Sequence, residues 1–306
     1  MKAYLRLKGL IKKTDHSAYL FILPGIIIIL MFVLYPSIWS LIASMKDLKP
    51  LALRNSGLFE LPGRWIGLKN YVLTFNDPLF QKSLLNTLYF STIFIPLTMF
   101  GAVLLAVLLD KGIKGTGFMR TLFFIPYVIA PVSAGLIFMF IFNGERGLIN
   151  GVLNLLNIDG PGWLTSTKLA MPVIAVMLCW KQIGYYMLIY MAGLQNISLS
   201  LYEAADVDGA SELQKFKMIT WPLLRRITMV VFILLLITAF NVFQEIFVMT
   251  GGGPADSTIT VPFLIYNQAF KYYHIGKAAA MSYILFVILV IIAVMQNKLN
   301  QRKLDY

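Results

Sequence analysis

The chain has 306 residues, 58% of them hydrophobic and only 13% charged, with a formal net charge of +12 and a mean hydropathy of +0.75. That leaves too little polar surface to cover a water-soluble globule, so a soluble fold is excluded. The positive charge does not point to nucleic acid, because the basic residues are dispersed between apolar runs of bilayer length and membrane topology accounts for them.

Residues 1–18 are basic, with Lys2, Arg6, Lys8, Lys12 and Lys13. Residues 19–43 then run for about 25 positions without a charge, enough to span a bilayer at about 1.5 Å per residue. The run is too long for the apolar part of a signal peptide and ends in no small-x-small site, so it reads as a retained first span. Residues 44–83 read as an outside loop of turns with one short helix, carrying Pro50, Pro62, Gly57, Gly63 and Gly67, and with Trp65 and Tyr71 suited to the interface. Residues 84–295 hold five more spans. The second covers 84–109, with Pro96 as a kink. A short basic turn, 110–120, leads to a third span over 122–142 containing Pro126 and Pro131. A Gly- and Asn-rich outside loop with Trp163 reaches to Lys168, and a fourth span covers 169–194.

The segment Ser200–Pro222 is polar and helix-forming between two apolar runs. Ser200 with Glu203 fits a capping box, Gly209 suits a left-handed helix end, and Ser211 with Gln214 fits a second box. Leu213 and Phe216 follow at helical spacing, and Pro222 disturbs the start of the next run. Two helices this short cannot stabilise themselves, so the segment has the form of something that docks. The fifth span covers 227–249, a third outside loop covers 250–277, and the sixth span covers 278–295. Residues 296–306 form a tail with Lys298, Arg302 and Lys303. Six spans put both termini on one side. That side and the Ser200–Pro222 loop collect about 15 Lys and Arg, against about 10 on the longer opposite loops, which makes it the cytoplasmic side.

Polar residues inside spans are the candidates for a substrate pathway, since each is costly unless it faces protein or water. Lys181 lies near the middle of the fourth span, where a lysine costs about 2.5–3.5 kcal/mol. Either it lines the pathway or meets a partner, or it snorkels or binds a helix carbonyl. Gln182, Tyr185 and Tyr186 follow, with Tyr185 on the face of Lys181. On the fifth span Asn241, Gln244 and Glu245 fall at spacings of three and four, one polar stripe on a continuous helix. Cys179 is a lone buried thiol, and His16 and His274 lack metal-site spacing. Gly251-Gly252-Gly253-Pro254 is not a phosphate loop, because G-x-x-x-x-G-K-[ST] is absent, and it reads as a turn. No catalytic constellation assembles, so an enzyme has little support.

The set Glu203-Ala204-Ala205, Asp208-Gly209-Ala210, Leu213, Phe216, Ile219 and Pro222 resembles the EAA loop of ABC importer permeases. Three further stretches resemble sugar-type permeases related to the maltose transporter: Gly67-Leu68-Lys69-Asn70-Tyr71 with Asn86-Thr87-Leu88, Phe240-Asn241 with Thr250 to Pro254, and Gly276 to Ala280. Tyr185 matches, counting back from Glu203, a tyrosine that contacts sugar in the maltose-type subunit. The resemblance implies an all-α polytopic membrane protein, a type I (MetI-like) permease core plus one N-terminal helix, in a bacterial cell membrane. It implies that the loop 198–222 couples to a separate ATPase dimer, which binds the ATP and Mg, so this chain is no enzyme and holds no cofactor of its own. It also implies a second homologous permease, an extracellular solute-binding protein, surrounding lipid, and sugar or oligosaccharide uptake by alternating access. A glycerol-phosphate or polyol substrate stays open. An ion-coupled secondary transporter would need buried carboxylates, and Glu245 is the only acidic residue placed inside a span.

Overall fold

The structure, a computed structural model, describes residues 19–48, 62–110 and 115–301. The basic N-terminal residues, Pro50, Gly57, residues 111–114 of the turn after the second span, Arg302 and Lys303 lie outside them. In chain order the elements are α1 (Tyr19–Ser44), β1 (Lys46–Asp47), β2 (Arg64–Trp65), α2 (Lys69–Phe75), α3 (Pro78–Asp110), α4 (Thr116–Val128), α5 (Pro131–Ile141), α6 (Leu148–Leu155) and α7 (Ala170–Leu194). They continue with α8 (Leu199–Val207), α9 (Glu212–Leu223), α10 (Arg225–Phe240), α11 (Gln244–Met249), α12 (Val261–Tyr266) and α13 (Ile275–Gln301). Four helices, α1, α3, α7 and the apolar part of α13, are long and apolar enough to cross a membrane, and two bent pairs bring the total to as many as six among the described residues.

The chain forms two compact units. In the first, residues 19–74 and 268–284, α1 ends on a small cluster of Ala43, Leu48 and Ala279 with Trp39 and Ile275 packed against it. Asn70 fixes that end. Its amide donates to the Ser44 carbonyl at 2.8 Å and the Lys46 carbonyl at 3.0 Å, while Ser44 Oγ and Tyr71 Oη share a hydrogen bond of 2.7 Å. The Asn-Tyr pair of the sugar-permease-like motif therefore ties off the first helix. No residue in the apolar window of α1 is buried among the described residues. Its apolar surface is left for lipid or another subunit.

The second unit, whose described residues are 75–110, 115–267 and 285–301, is built around α7. Its sequence is apolar on all sides, and 61% of its span window is buried, which makes it the central helix. It packs on α3, α4, α5 and α10. Gly184 lets α4 come close, since a Cβ there would overlap the Phe123 carbonyl. Helix α3 has 33 residues, roughly 50 Å of helix against an apolar bilayer thickness of about 30 Å. It stays continuous through Pro96. Near its start Asn86 donates to the carbonyls of Asp256 and Ile259, both at 2.9 Å, and Thr87 Oγ1 accepts from Val261 N at 3.2 Å. The Asn-Thr pair thus holds the loop that follows Gly251–Pro254. That stretch is a turn, as expected, closed by Thr258 Oγ1 donating to the Gly253 carbonyl at 2.7 Å.

Two spans differ from the sequence expectation. The third is two helices, α4 and α5, meeting at 99°. Pro131 opens α5 and has no N–H, so no helical bond can reach back to Tyr127. The fifth is also broken. Helix α10 ends at Phe240, residues 241–243 leave the helix, and α11 starts at Gln244. The stripe of Asn241, Gln244 and Glu245 on one continuous helix is therefore corrected: they flank a break.

Candidate functional site

Two places gather the candidate residues. The first is the elbow made by α8 and α9. Helix α8 starts at Leu199 with Ser198 before it, so Ser200 falls inside the first turn and its hydroxyl pairs with that of Ser198 at 2.7 Å. The Ser200–Glu203 capping box does not form. At the other end Gly209 takes φ +75°, Gly209 N donates to the Asp206 carbonyl at 3.1 Å, and Ala210 N donates to that of Ala205 at 2.9 Å. This double bond around a left-handed residue satisfies the last carbonyls of α8 and turns the chain. The Ala205, Gly209 and Ala210 positions of the motif are thus the geometry of the corner. The second capping box is present, with Ser211 N donating to Gln214 Oε1 at 2.7 Å.

Lys215 braces the corner. Its ammonium pairs with Asp206 on α8 and with Glu212 on its own helix at 2.9 Å. Its hydrogen bonds to Asp206 first and to Glu212 second hold it above the usual lysine range, so it stays charged at neutral pH. Tyr202 Oη and Thr220 Oγ1, 2.8 Å apart, make a second tie between the helices. Pro222 follows a π turn, Phe216–Thr220, and α9 meets α10 at 66°. With its polar groups used internally, the elbow turns apolar side chains outward: Val207 is 89% exposed, Met218 76% and Leu213 62%. Glu203, Ala204, Asp208 and Gly209 are exposed beside them, whereas Ala205, Ala210 and Phe216 are half-buried. An apolar trough of about 1120 Å³ flanks the elbow, walled by α3 from Pro96 to Asp110 and by Tyr202, Phe216 and Trp221.

The second place is a cavity of about 300 Å³ at the break between α10 and α11. Gln182, Asn241, Gln244 and Glu245 line it, with Thr238, Leu178, Val242 and Phe243. Four predicted residues from two spans therefore meet. Asn241 is tied back to the Ile237 carbonyl at 2.8 Å, whereas Gln182 and Gln244 have no side-chain partner among the described residues. Glu245 is buried at the start of α11.

Lys181, Tyr185 and Tyr186 do not line this cavity. Lys181 Nζ donates to the Tyr127 carbonyl at 3.2 Å, the one that Pro131 leaves without a helical donor, and sits over the Tyr127 ring at 5.6 Å. Tyr185 stacks on Tyr127 at 4.6 Å and 9°. Tyr186 is buried, and its hydroxyl lies 3.3 Å from that of Thr238 on the cavity wall. Sequence reasoning missed Tyr127 and Thr238. The signal for Tyr127 was its position four residues before a proline facing a buried lysine. Thr238 carried no distinguishing pattern.

Residues 79–305 match the family model described as binding-protein-dependent transport system inner membrane component. The chain is 34% identical over 291 residues, 94% of its length, to the sn-glycerol-3-phosphate transport system permease protein UgpA of Agrobacterium fabrum, covering 96% of that protein. It is 32% identical over 288 residues, 92% of its length, to the lactose transport system permease protein LacF of Rhizobium radiobacter, covering 93% of that protein. Its fold matches a chain of a bacterial ABC transporter involved in import of the acidic polysaccharide alginate, with a TM-score of 0.82 over 98% of this chain and all of that one, at 24% identity. The chain is a multi-pass membrane protein and belongs to the family of binding-protein-dependent transport system inner membrane components.

Proposed function

We propose that this chain is one of two permease subunits of an ATP-driven importer. The importer takes a sugar or oligosaccharide from an extracellular binding protein and releases it in the cytoplasm. The observation that carries the coupling half of this reading is the elbow: a corner braced by its own polar groups that turns Val207, Leu213 and Met218 to the outside. Such a surface marks a contact with a partner or the membrane surface, and the match to the EAA loop favours the partner. The partner is a separate ATPase dimer, which binds the ATP and Mg. The charge bias puts the elbow and both termini in the cytoplasm, where ATP is. The substrate half rests on the polar cavity and on relatives named for lactose and glycerol-phosphate transport.

In this mechanism the ATPase pair closes on ATP and pulls the elbow. Lys215 and the Tyr202–Thr220 tie keep α8 and α9 at a fixed angle, so the pull passes into α10 as a rigid-body movement. The break after Phe240 then shifts against Gln182 on α7 and alternately opens and closes the cavity. Glu203, Ala204 and Asp208 form the contact with the ATPase together with Leu213. A second reading, a polyol or glycerol-phosphate substrate, is favoured by the similarity to UgpA.

Reconstitution of permease pair, ATPase and binding protein in liposomes tests the reading. Proline cannot adopt the φ of +75° found at Gly209, and Glu203→Lys reverses a charge on the exposed face. Both Gly209→Pro and Glu203→Lys are expected to insert normally yet lose ATPase co-purification and uptake. Full uptake and normal co-purification in both variants refute the coupling role, and uptake by this chain alone under an ion gradient refutes ATP drive.

A further inference from the structure

We propose that the trough between α3 and the elbow holds one zwitterionic phospholipid of the phosphatidylethanolamine type, with its acyl chains along α3 and its headgroup between Lys217 and Asp110. The inference goes beyond sugar uptake and needs only that the chain crosses a membrane. The trough holds about 1120 Å³, and every residue on its wall belongs to the second unit. Along α3 the wall is apolar, with Met99, Phe100, Val103, Leu104, Val107 and Leu108. Phe100 is 72% exposed and Leu108 50%, so no described part of the chain covers them. The length suits a lipid. Pro96 lies near the middle of the apolar run 84–109, and from there to Asp110 the helix rises about 21 Å at about 1.5 Å per residue. That is one leaflet of a bilayer about 40–45 Å thick with its headgroups.

The trough is apolar at the bilayer middle and charged at the membrane surface, the profile of an amphiphile. Its charged residues are Asp110, Glu212, Lys215 and Lys217. Glu212 and Lys215 already pair with each other, and Asp206 is the second partner of Lys215. One cation, Lys217, and one anion, Asp110, remain on the wall, both exposed and neither with a partner among the described residues. Arg120 comes close to this end without lining it, donating to the Leu109 carbonyl at 3.3 Å. Lys111 and Lys114 lie outside the described residues. One free charge of each sign suits a headgroup that carries both, its phosphate on Lys217 and its own ammonium on Asp110. A headgroup that is only anionic satisfies Lys217 but leaves Asp110 facing a like charge. Trp221, half-exposed on the same wall, adds a ring of the kind that favours the headgroup level.

The test uses the full chain purified with its partner subunits, stripped of lipid in detergent and titrated with phosphatidylethanolamine or phosphatidylglycerol of matched acyl chains. Bound lipid is counted by native mass spectrometry. One phosphatidylethanolamine per copy of this chain is expected, held at least about 5-fold tighter than phosphatidylglycerol. Leu104→Trp, which fills the trough from a half-exposed position, is expected to release that lipid. Lys217→Ala is expected to weaken both lipids by about 5-fold, since both carry the phosphate, and Asp110→Lys to reverse the preference. Both of these side chains are exposed, so the charge variants decide the matter if Leu104→Trp fails to assemble. Phosphatidylglycerol bound as tightly as phosphatidylethanolamine, a ratio unmoved by Asp110→Lys, or a full lipid count in Leu104→Trp overturns the proposal. So does a Leu104→Trp variant that separates the two permeases while keeping its lipid, which gives the trough to the second permease. Each of these outcomes leaves the import reading standing.

Discussion

The elbow at 198–223 and the break at 240–244 both interrupt helices, and they dispose of their polar groups in opposite ways. In the elbow, Lys215 pairs with Asp206 and Glu212, Gln214 with Ser211 and Tyr202 with Thr220, and the exposed surface beside them includes Val207, Leu213 and Met218 along with Glu203 and Asp208. At the break the amides of Gln182 and Gln244 line a cavity, beside Leu178, Val242 and Phe243, without side-chain partners among the described residues. A corner that satisfies itself is stiff and exposes grease, which suits a handle gripped by another protein. A break that leaves hydrogen-bonding capacity open inside a span is costly unless something polar fills it, which suits a passage.

The difference yields separable predictions. The largest effect is expected at the handle. Val207→Asp with Leu213→Asp should weaken capture of the ATPase by at least about 1,000-fold, the scale of losing two buried anchors. The thermal stability of the isolated subunit should stay unchanged, because both side chains are already exposed. Pull-down and thermal unfolding in detergent read the two halves. Next comes the crossing of α4 and α7. Gly184→Leu forces side-chain atoms into the Phe123 carbonyl and should destabilise the folded subunit by about 3 kcal/mol or more. The drop should appear as a lower apparent unfolding temperature without a selective loss of ATPase capture. The smallest effect is assigned to Lys181→Met, which leaves the Tyr127 carbonyl unsatisfied at a cost of about 1–3 kcal/mol. Uptake per folded complex should be unchanged. If uptake falls while stability holds, Lys181 belongs to the passage.

Much of this was legible in the sequence, and the reasons differ by region. Apolar runs of bilayer length set the helices α1, α3, α7 and α13, because a helix satisfies its own backbone in lipid. The corner at Gly209 and the box at Ser211 were legible because both are local chemistry within four residues. The Ser200–Glu203 box failed on an equally local pattern, because helix α8 begins one residue earlier than Ser200 and turns that hydroxyl to Ser198. The bends were not legible. Pro126 and Pro131 marked the third span as weak, but neither the 99° turn nor the bond from Lys181 of α7 to the carbonyl freed there follows from local spacing. The break after Phe240 has no proline at all, and Asn241, Gln244 and Glu245 read as an unbroken stripe. They meet Gln182 by packing of α10 on α7, which no spacing along one helix reveals. Asn70 and Asn86 stood out only by resemblance. The structure gives them a mechanical role, the first tying off α1 and the second holding the loop after Gly251–Pro254.

The claim that the elbow is the gripped surface is tested most directly by thiol accessibility at its most exposed apolar residue. With Cys179 replaced by serine and Val207→Cys introduced, maleimide labelling is timed on the subunit alone and on the complex with its ATPase. Labelling at least about 10-fold slower in the complex, recovered when the ATPase is stripped off, is the result expected of a surface buried at an interface. Equal labelling rates with and without the ATPase would contradict it.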